Sequence, residues 1–192
     1  MQPLPDEQQI VVLAQKGNEE AVTFLYETHV DSIFGYISYR VASVEIAKDL
    51  TSEVFLRMVR GLPNYQDHGV PFRAWLFRIA ANLITDHYRQ KGKNALMPIP
   101  EDYESSDLDL LDQATSKEET QWLRQALHQL PDDYQDLLIL RFVHDLPHTE
   151  IAKIMNKSAA ALRSMQYRAV KALTQELEKL PSQRSSRSGD EP

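Results

Sequence analysis

The chain has 192 residues, a formal net charge of −7, 42% hydrophobic and 26% charged side chains, which suits a buried core in one ordinary domain or two small ones. Six glycines without a glycine-rich run exclude a P-loop or dinucleotide fingerprint, and the lack of cysteine excludes disulfides, Cys-ligated zinc and a thiol nucleophile. No apolar run approaches the ~18 residues of a membrane span, and Met1-Gln2-Pro3-Leu4-Pro5-Asp6-Glu7 has neither a basic stretch nor an apolar core, so a soluble intracellular protein is expected.

In chain order the pattern is helical throughout, with no sustained period-2 alternation. Asn18, after Gly17, is a capping residue for a helix running through Glu19 and Glu20 towards Arg40. A second helix covers Val44 to Gly61 and stops at Gly61, Pro63 and Asn64. After a loop from Pro63 to Pro71, a third long helix starts near Pro71 and reaches Lys91 and Gly92. The stretch from Asn94 to Asp107 has two prolines, many acids and no period, and reads as a linker. Beyond it, Glu118 to Leu130 is a helix stopped by Pro131, followed by Asp132 to Val143 and then a helix opened by Pro147. Asn156-Lys157 breaks that helix, and a last one runs from Ser158 to about Leu180, a helix-turn-helix pattern. The tail from Ser182 reads as disordered. The expected architecture is all-α: residues 1–93 as one small helical domain, 94–117 as a flexible acidic linker, 118–181 as a second domain containing the helix-turn-helix, and 182–192 as a tail.

The charge is unevenly placed. Residues 94–117 carry six acids against one base, whereas Arg73 to Lys93 holds five bases against Asp86 alone, and Lys153 to Lys171 holds five against none. Two basic patches on an acidic chain point to two localised contacts with a polyanion. On the last helix Leu162, Met165, Ala169, Ala172, Leu173 and Leu177 share the core side, and Arg163, Ser164, Tyr167, Arg168, Lys171 and Thr174 share the other. Ala159 and Ala160 make its first turn thin enough to enter a major groove, with Arg163 reaching a base edge and Tyr167, Arg168 and Lys171 reaching phosphates. On the third helix Phe72, Trp75, Leu76, Ile79, Leu83 and His87 face the core. Arg78, Asn82, Thr85 and Arg89 line the opposite face, with Phe77, Ala81 and Tyr88 beside them, a pattern suited to single-stranded DNA. On the Val44–Gly61 helix Ala47, Leu50, Val54, Met58 and Val59 turn inward, while Leu56 lies among Asp49, Ser52, Glu53 and Arg60 like the apolar centre of a docking site. His144, Asp145, His148 and Glu150 cluster, but Pro147 interrupts any helical metal site. No catalytic residue, metal ligand or cofactor is expected, and the chain reads as a non-enzyme.

These residues resemble the bacterial sigma factors of the extracytoplasmic-function group. Asp49 to Arg57 is similar to the region 2 helix that docks on the clamp coiled coil of core RNA polymerase. Phe72 to Arg89 is similar to the segment that opens and reads the −10 element, and the loop before it to the one that captures a flipped base. Leu127-His128-Gln129-Leu130-Pro131, Leu138-Ile139-Leu140-Arg141 and Glu150-Ile151-Ala152 with the following basic helix resemble region 4, which reads the −35 element. The turn Asp145-Leu146-Pro147-His148-Thr149 departs from the family's frequent Gly-Leu-Ser-Tyr, and Ala161 and Met165 stand where Thr and Arg are frequent. The resemblance implies a cytoplasmic bacterial transcription initiation factor and a polymerase-docking set of Asp49, Glu53, Leu56, Arg57 and Arg60. It implies a −10 set of Asn64, Tyr65, Gln66, Asp67, His68, Arg78, Asn82, Thr85, Tyr88 and Arg89, and a −35 set of Ser158, Ala160, Arg163, Ser164, Tyr167, Arg168 and Lys171. Its implied partners are core RNA polymerase (clamp coiled coil and flap), promoter DNA and an anti-sigma factor, with no membrane insertion of its own. The rival reading is a stand-alone helix-turn-helix regulator that binds operators without polymerase.

Overall fold

A computed structural model describes residues 6–67, 69–91 and 117–179. The tail, His68 and the expected linker (residues 94–117) lie outside the described residues, except that Lys117, the last residue of that linker, begins a helix. Two four-helix halves make up the rest, and among the described residues no strand occurs.

The N-terminal half opens with α1 (Glu7–Gln15), a helix ahead of the one that Asn18 begins and not delineated by the sequence reading. Its Ile10, Val11 and Ala14 are buried. Gly17, at φ 83°, takes the left-handed conformation that closes α1, with its N–H on the Ala14 carbonyl and that of Asn18 on Leu13. The Asn18 side chain then accepts from the Ala21 N–H at 2.8 Å and starts α2 (Glu19–Ser38), where Glu19 and Glu20 lie at the positive end of the helix dipole. Two helices joined by so short a corner pack side by side. On α2 the residues Ala21, Leu25, His29, Ile33 and Tyr36 make one buried stripe.

Ser43 caps α3 (Val44–Gly61) by accepting from the Ile46 N–H at 3.2 Å. Ala47, Thr51, Val54, Phe55 and Met58 form its buried face. Val59, expected inward, is 49% exposed, because Phe55 and Met58 already occupy the inner side of that turn. Gly61 is dictated by its neighbour: a Cβ there would stand 3.0 Å from the Trp75 ring. A single 3₁₀ turn (Leu62–Asn64) leads to the loop before α4 (Phe72–Lys91).

In the C-terminal half, α5 (Lys117–His128) is followed by α6 (Asp132–Leu138), which runs on as a π-helical turn (Ile139–Val143). The sequence reading has that stretch as one regular helix; the π turn inserts a residue, and the His144 N–H reaches back to the Ile139 carbonyl at 3.2 Å. α7 (His148–Ile154) and α8 (Ala159–Lys179) form the helix-turn-helix. Asp145 and Asn156 hold positive φ, 46° and 52°, at the two turns flanking α7. The Lys157 N–H bonds the Ala152 carbonyl and Ser158 caps α8 by accepting from the Ala161 N–H at 3.1 Å.

The halves are not separate cores. Their buried residues join in one continuous apolar cluster, running from Ile10 and Leu25 through Tyr36 and Phe77 to Leu137, Ile151 and Leu162. Phe77 was expected beside the DNA-facing side of α4; it is buried instead, edge-on to Tyr36 (5.4 Å between centroids) and tilted on His144 (5.1 Å). The reason is the second half itself, which covers that side of α4.

Candidate nucleic-acid and polymerase interface

Three solvent-facing surfaces emerge from this scaffold. The first is the outer side of α3. Asp49, Glu53, Leu56 and Arg60 fall at intervals of three to four residues, with Arg57 next to Leu56 and four residues after Glu53, so a single face carries them all. Leu56 is 51% exposed and Val59 beside it 49%, an apolar pair with charge on its flanks. Glu53 accepts from Arg57 Nε at 2.8 Å, which fixes part of that rim. Val59 belongs to the surface and was missed; the signal was its i+3 spacing from Leu56, outweighed in the sequence by a preference for burying valine.

The second surface joins α4 to the loop before it. Arg78, Asn82, Thr85 and Arg89 are exposed and line one face. Arg89 pairs with Asp86 at 3.1 Å and the Thr85 hydroxyl donates to the Ala81 carbonyl. Tyr88 is half-buried, and its hydroxyl donates to the Arg40 carbonyl at 2.5 Å, so this ring is tied to the end of α2. In the loop Asn64, Gln66 and Asp67 are exposed. Tyr65 is half-buried against Phe72 and Trp75, with centroids 5.3 and 4.8 Å away. Burial, then the nearby Asp67 and Glu7 carboxylates, pushes its phenol up to about 12. Asp67 shapes the loop: its Oδ1 accepts from the N–H groups of Gly69 (2.7 Å) and Val70 (3.2 Å), an Asx turn that places Gly69 at φ 70°.

The loop is also held from a direction the sequence did not suggest. Gln8 on α1 donates to Asp67 Oδ2 at 2.8 Å, and Gln15 donates to the carbonyls of Leu62 (3.1 Å) and Tyr65 (2.6 Å). α1 is anchored in turn by Glu7, which accepts from His29 Nε2 at 2.8 Å; that hydrogen bond holds the Glu7 carboxyl below its ordinary range. Glutamines carry no charge or periodicity signal, which is why these supports are invisible in the chain read alone.

The third surface is the outer face of α8. Ala160, Arg163, Ser164, Tyr167, Arg168 and Lys171 are all exposed, Tyr167 by 73%, while Leu162, Met165 and Ala169 point into the core. Ser158 starts the helix but spends its hydroxyl on the cap. No carboxylate occurs from Ile151 to Gln175, so the face is electropositive throughout. His148 at the start of α7 meets Gln166 Oε1 at 2.6 Å, locking the two helices of the motif together. No group of three or more potential metal-ligating side chains converges among the described residues.

Residues 25–94 match the Sigma-70 region 2 family and residues 120–173 the Sigma-70 region 4 family. The chain is 33% identical over 167 residues to the ECF RNA polymerase sigma factor BldN of Streptomyces coelicolor, covering 86% of this chain and 63% of that protein. It is 31% identical over 175 residues to the ECF RNA polymerase sigma factor SigD of Mycobacterium tuberculosis, covering 88% and 82%. In fold it is similar to CnrH, solved with the cytosolic domain of CnrY (TM-score 0.71, 20% identity, 90% of this chain and 97% of that one). It is also similar to the sigma factor RpoE of Bartonella quintana, solved with the anti-sigma factor NepR (TM-score 0.62, 19% identity, 81% and 96%). With two family matches in the right order and relatives above 30% identity along most of its length, the chain belongs to the ECF RNA polymerase sigma factors.

Proposed function

We propose that this protein directs promoter-specific initiation by bacterial RNA polymerase, with residues 1–93 serving the polymerase and the −10 element and residues 118–181 serving the −35 element. The observation that carries the reading is the set of three exposed faces, each on its own helix and each chemically suited to a different partner. The Leu56–Val59 pair with its charged rim, joined by Asp49, Glu53, Arg57 and Arg60, docks on the clamp coiled coil of the core enzyme, and the C-terminal half meets the flap. The α8 face enters the major groove: Arg163 reads a base edge near the thin end made by Ala160, and Arg168 and Lys171 neutralise phosphates. The α4 face and the Asn64–Asp67 loop hold the melted −10 strand, where captured bases offset the cost of unstacking.

Such a factor has no active site of its own and needs no cofactor. It works in the cytoplasm, and no helix among the described residues is long and apolar enough to cross a membrane. An anti-sigma factor is the expected antagonist, in line with the one crystallised with Bartonella quintana RpoE. Run-off transcription with sigma-free core polymerase tests the reading: protein-dependent transcripts are expected, and Leu56→Asp and Arg163→Ala each reduce them. Operator binding by the chain alone, with no polymerase affinity, would return the stand-alone regulator.

A further inference from the structure

The loop before α4 holds two kinds of polar side chain. Asp67 is engaged inside the protein on both oxygens: Oδ1 accepts from the Gly69 and Val70 N–H groups, and Oδ2 accepts from Gln8 at 2.8 Å. Three of its roughly four acceptor positions are taken, and its charge repels a phosphate backbone. The Gln15 amide is engaged as fully. The two hydrogens of its Nε2 go to the Leu62 carbonyl at 3.1 Å and the Tyr65 carbonyl at 2.6 Å. One NH2 group thus clips both ends of the 3₁₀ turn, where the Tyr65 N–H already bonds the Leu62 carbonyl at 3.1 Å. Further on, the Tyr65 hydroxyl donates to the Val70 carbonyl at 3.3 Å and closes the loop on itself. Asn64 and Gln66, on either side of Tyr65, are by contrast exposed, and each is an amide able both to donate and to accept.

We propose that α1 is the positioning element of the −10 loop. Gln15 and Gln8 hold the loop in its capture-ready shape through Leu62, Tyr65 and Asp67, and the amides of Asn64 and Gln66 read the captured base. Asp67 thereby moves from the reading set to the framework. The brace is itself anchored: Glu7 of α1 accepts from His29, and the His29 ring lies 5.7 Å from that of Phe72, which backs Tyr65. The physical argument is one of preorganisation. A pocket that is formed only part of the time binds its ligand more weakly by that fraction. A fitting base gains from the pocket and a wrong base does not, so loosening the loop weakens the fitting base alone and the preference between them shrinks. Two glutamines that touch no DNA therefore set how sharply one −10 position is read. The capture role rests on the sigma activity proposed above; the bracing of the loop does not.

The test uses holoenzyme assembled from core polymerase and the full chain, on a promoter that the parent transcribes. Fork-junction DNA carries the −10 segment as a single strand, each base is replaced in turn, and the affinity ratio of best to worst base is read at every position. Gln15→Met, equal in length but without donors, should lower that ratio about tenfold at one −10 position, the effect of two ordinary hydrogen bonds. The ratios at the −35 positions should stay as they are. Asn64→Ala or Gln66→Ala should erase the preference at that same −10 position. Gln8→Met should act about threefold, in line with one exposed bond. Gln8→Glu, a second anion against Asp67, should act more strongly, and Gln8→Lys, which returns a donor to it, should restore the parent ratio. Gln9→Met makes the same change at an exposed position of α1 and should have no effect. In the free chain, hydrogen exchange of the Tyr65 amide should quicken in Gln15→Met. An unchanged ratio in Gln15→Met, an equal loss at every −10 and −35 position, or no recovery with Gln8→Lys overturns the positioning role. Preference that survives both Asn64→Ala and Gln66→Ala overturns their part as readers. Quickened exchange in Gln15→Met, beside a parent that yields no transcripts, rejects the sigma activity and leaves the brace standing.

Discussion

Removing one oxygen from Tyr36 should weaken the union of the two halves. In Tyr36→Phe the ring remains, with its edge-to-face contact on Phe77, and only the donor to Asp136 is lost. Both partners sit at the buried seam, where burial pushes the Tyr36 phenol well above its ordinary value and so keeps it protonated as the donor. A hydrogen bond to a charged group is worth about 1.5–3 kcal/mol. With a urea slope of roughly 2 kcal/mol per molar, the loss becomes a midpoint shift near 1 M. The two tryptophans report the halves separately, since Trp75 lies in α4 and Trp122 in α5. Single-tryptophan versions, made with Trp122→Phe or Trp75→Phe, should show coincident transitions that move together on Tyr36→Phe. A double-mutant cycle with Asp136→Asn should give a coupling energy of about 1 kcal/mol or more. A loss below about 0.5 kcal/mol, or a shift confined to one reporter, would refute the view that this bond joins the halves.

Acid should loosen the same seam. Burial holds His144 at about 4, and burial together with Arg40 and Arg124 holds His128 at about 4, against an ordinary 6.5. Both are neutral when folded, so their contribution is complete above pH 6.5 and fades as pH falls towards 4, by about 2 kcal/mol each at pH 5. Asp136, whose carboxyl burial pushes up, acts in the opposite sense. The diagnostic is therefore the difference between parent and His144→Gln in urea midpoints from pH 8 to 5, which should be smaller in the variant. Leu56→Asp should change stability by less than about 0.5 kcal/mol yet weaken core polymerase binding by roughly 30-fold, as read by fluorescence anisotropy. In promoter binding by the assembled holoenzyme, Arg163→Ala should cost about 1–3 kcal/mol and relax preference at one −35 position, while Lys171→Ala should weaken all sequences alike and lower the salt slope by about 0.9. Asp145→Gly should raise stability by about 0.5–1 kcal/mol in thermal unfolding, because Asp145 sits at φ 46° and its contact to Arg141, at 3.4 Å, is weak and exposed.

What the chain declares about itself is mostly what local chemistry declares. The caps at Asn18, Ser43 and Ser158, the stop at Gly61 and the faces of α3 and α8 follow from short-range rules: a side-chain acceptor at the right position and a period of 3.6 residues. The exposed faces of the expected sites are legible for the same reason. Phe77 and Tyr88 are not, because a helix projection has only two sides, and α4 has three neighbours: the apolar cluster of its own half, solvent, and the second half. An aromatic beside a basic face looks equally fit for stacking on a base or for burial under a partner helix. Gln8 and Gln15 escaped notice because their partners are backbone carbonyls and a loop carboxylate about fifty residues away.

The seam also explains why an acidic pair opens α6. At a helix start, Asp132 and Asp133 read as ordinary dipole partners. Asp132 instead points to Arg40 and Asp133 to Lys157 at 3.0 Å, so one carboxylate ties the C-terminal half to α2 and the next braces the turn of the helix-turn-helix. Neutralising each should thus have separable effects. Asp133→Asn leaves an exposed pair broken and costs little in stability, with its consequence confined to how firmly α8 is presented. Asp132→Asn removes part of the counter-charge of a buried guanidinium. Asp136 is then the one carboxylate left, beside the Gln135 amide oxygen, to offset the burial of Arg40. The neighbouring aspartates lie one residue apart, yet one governs the junction between the halves and the other the geometry of the DNA-reading motif.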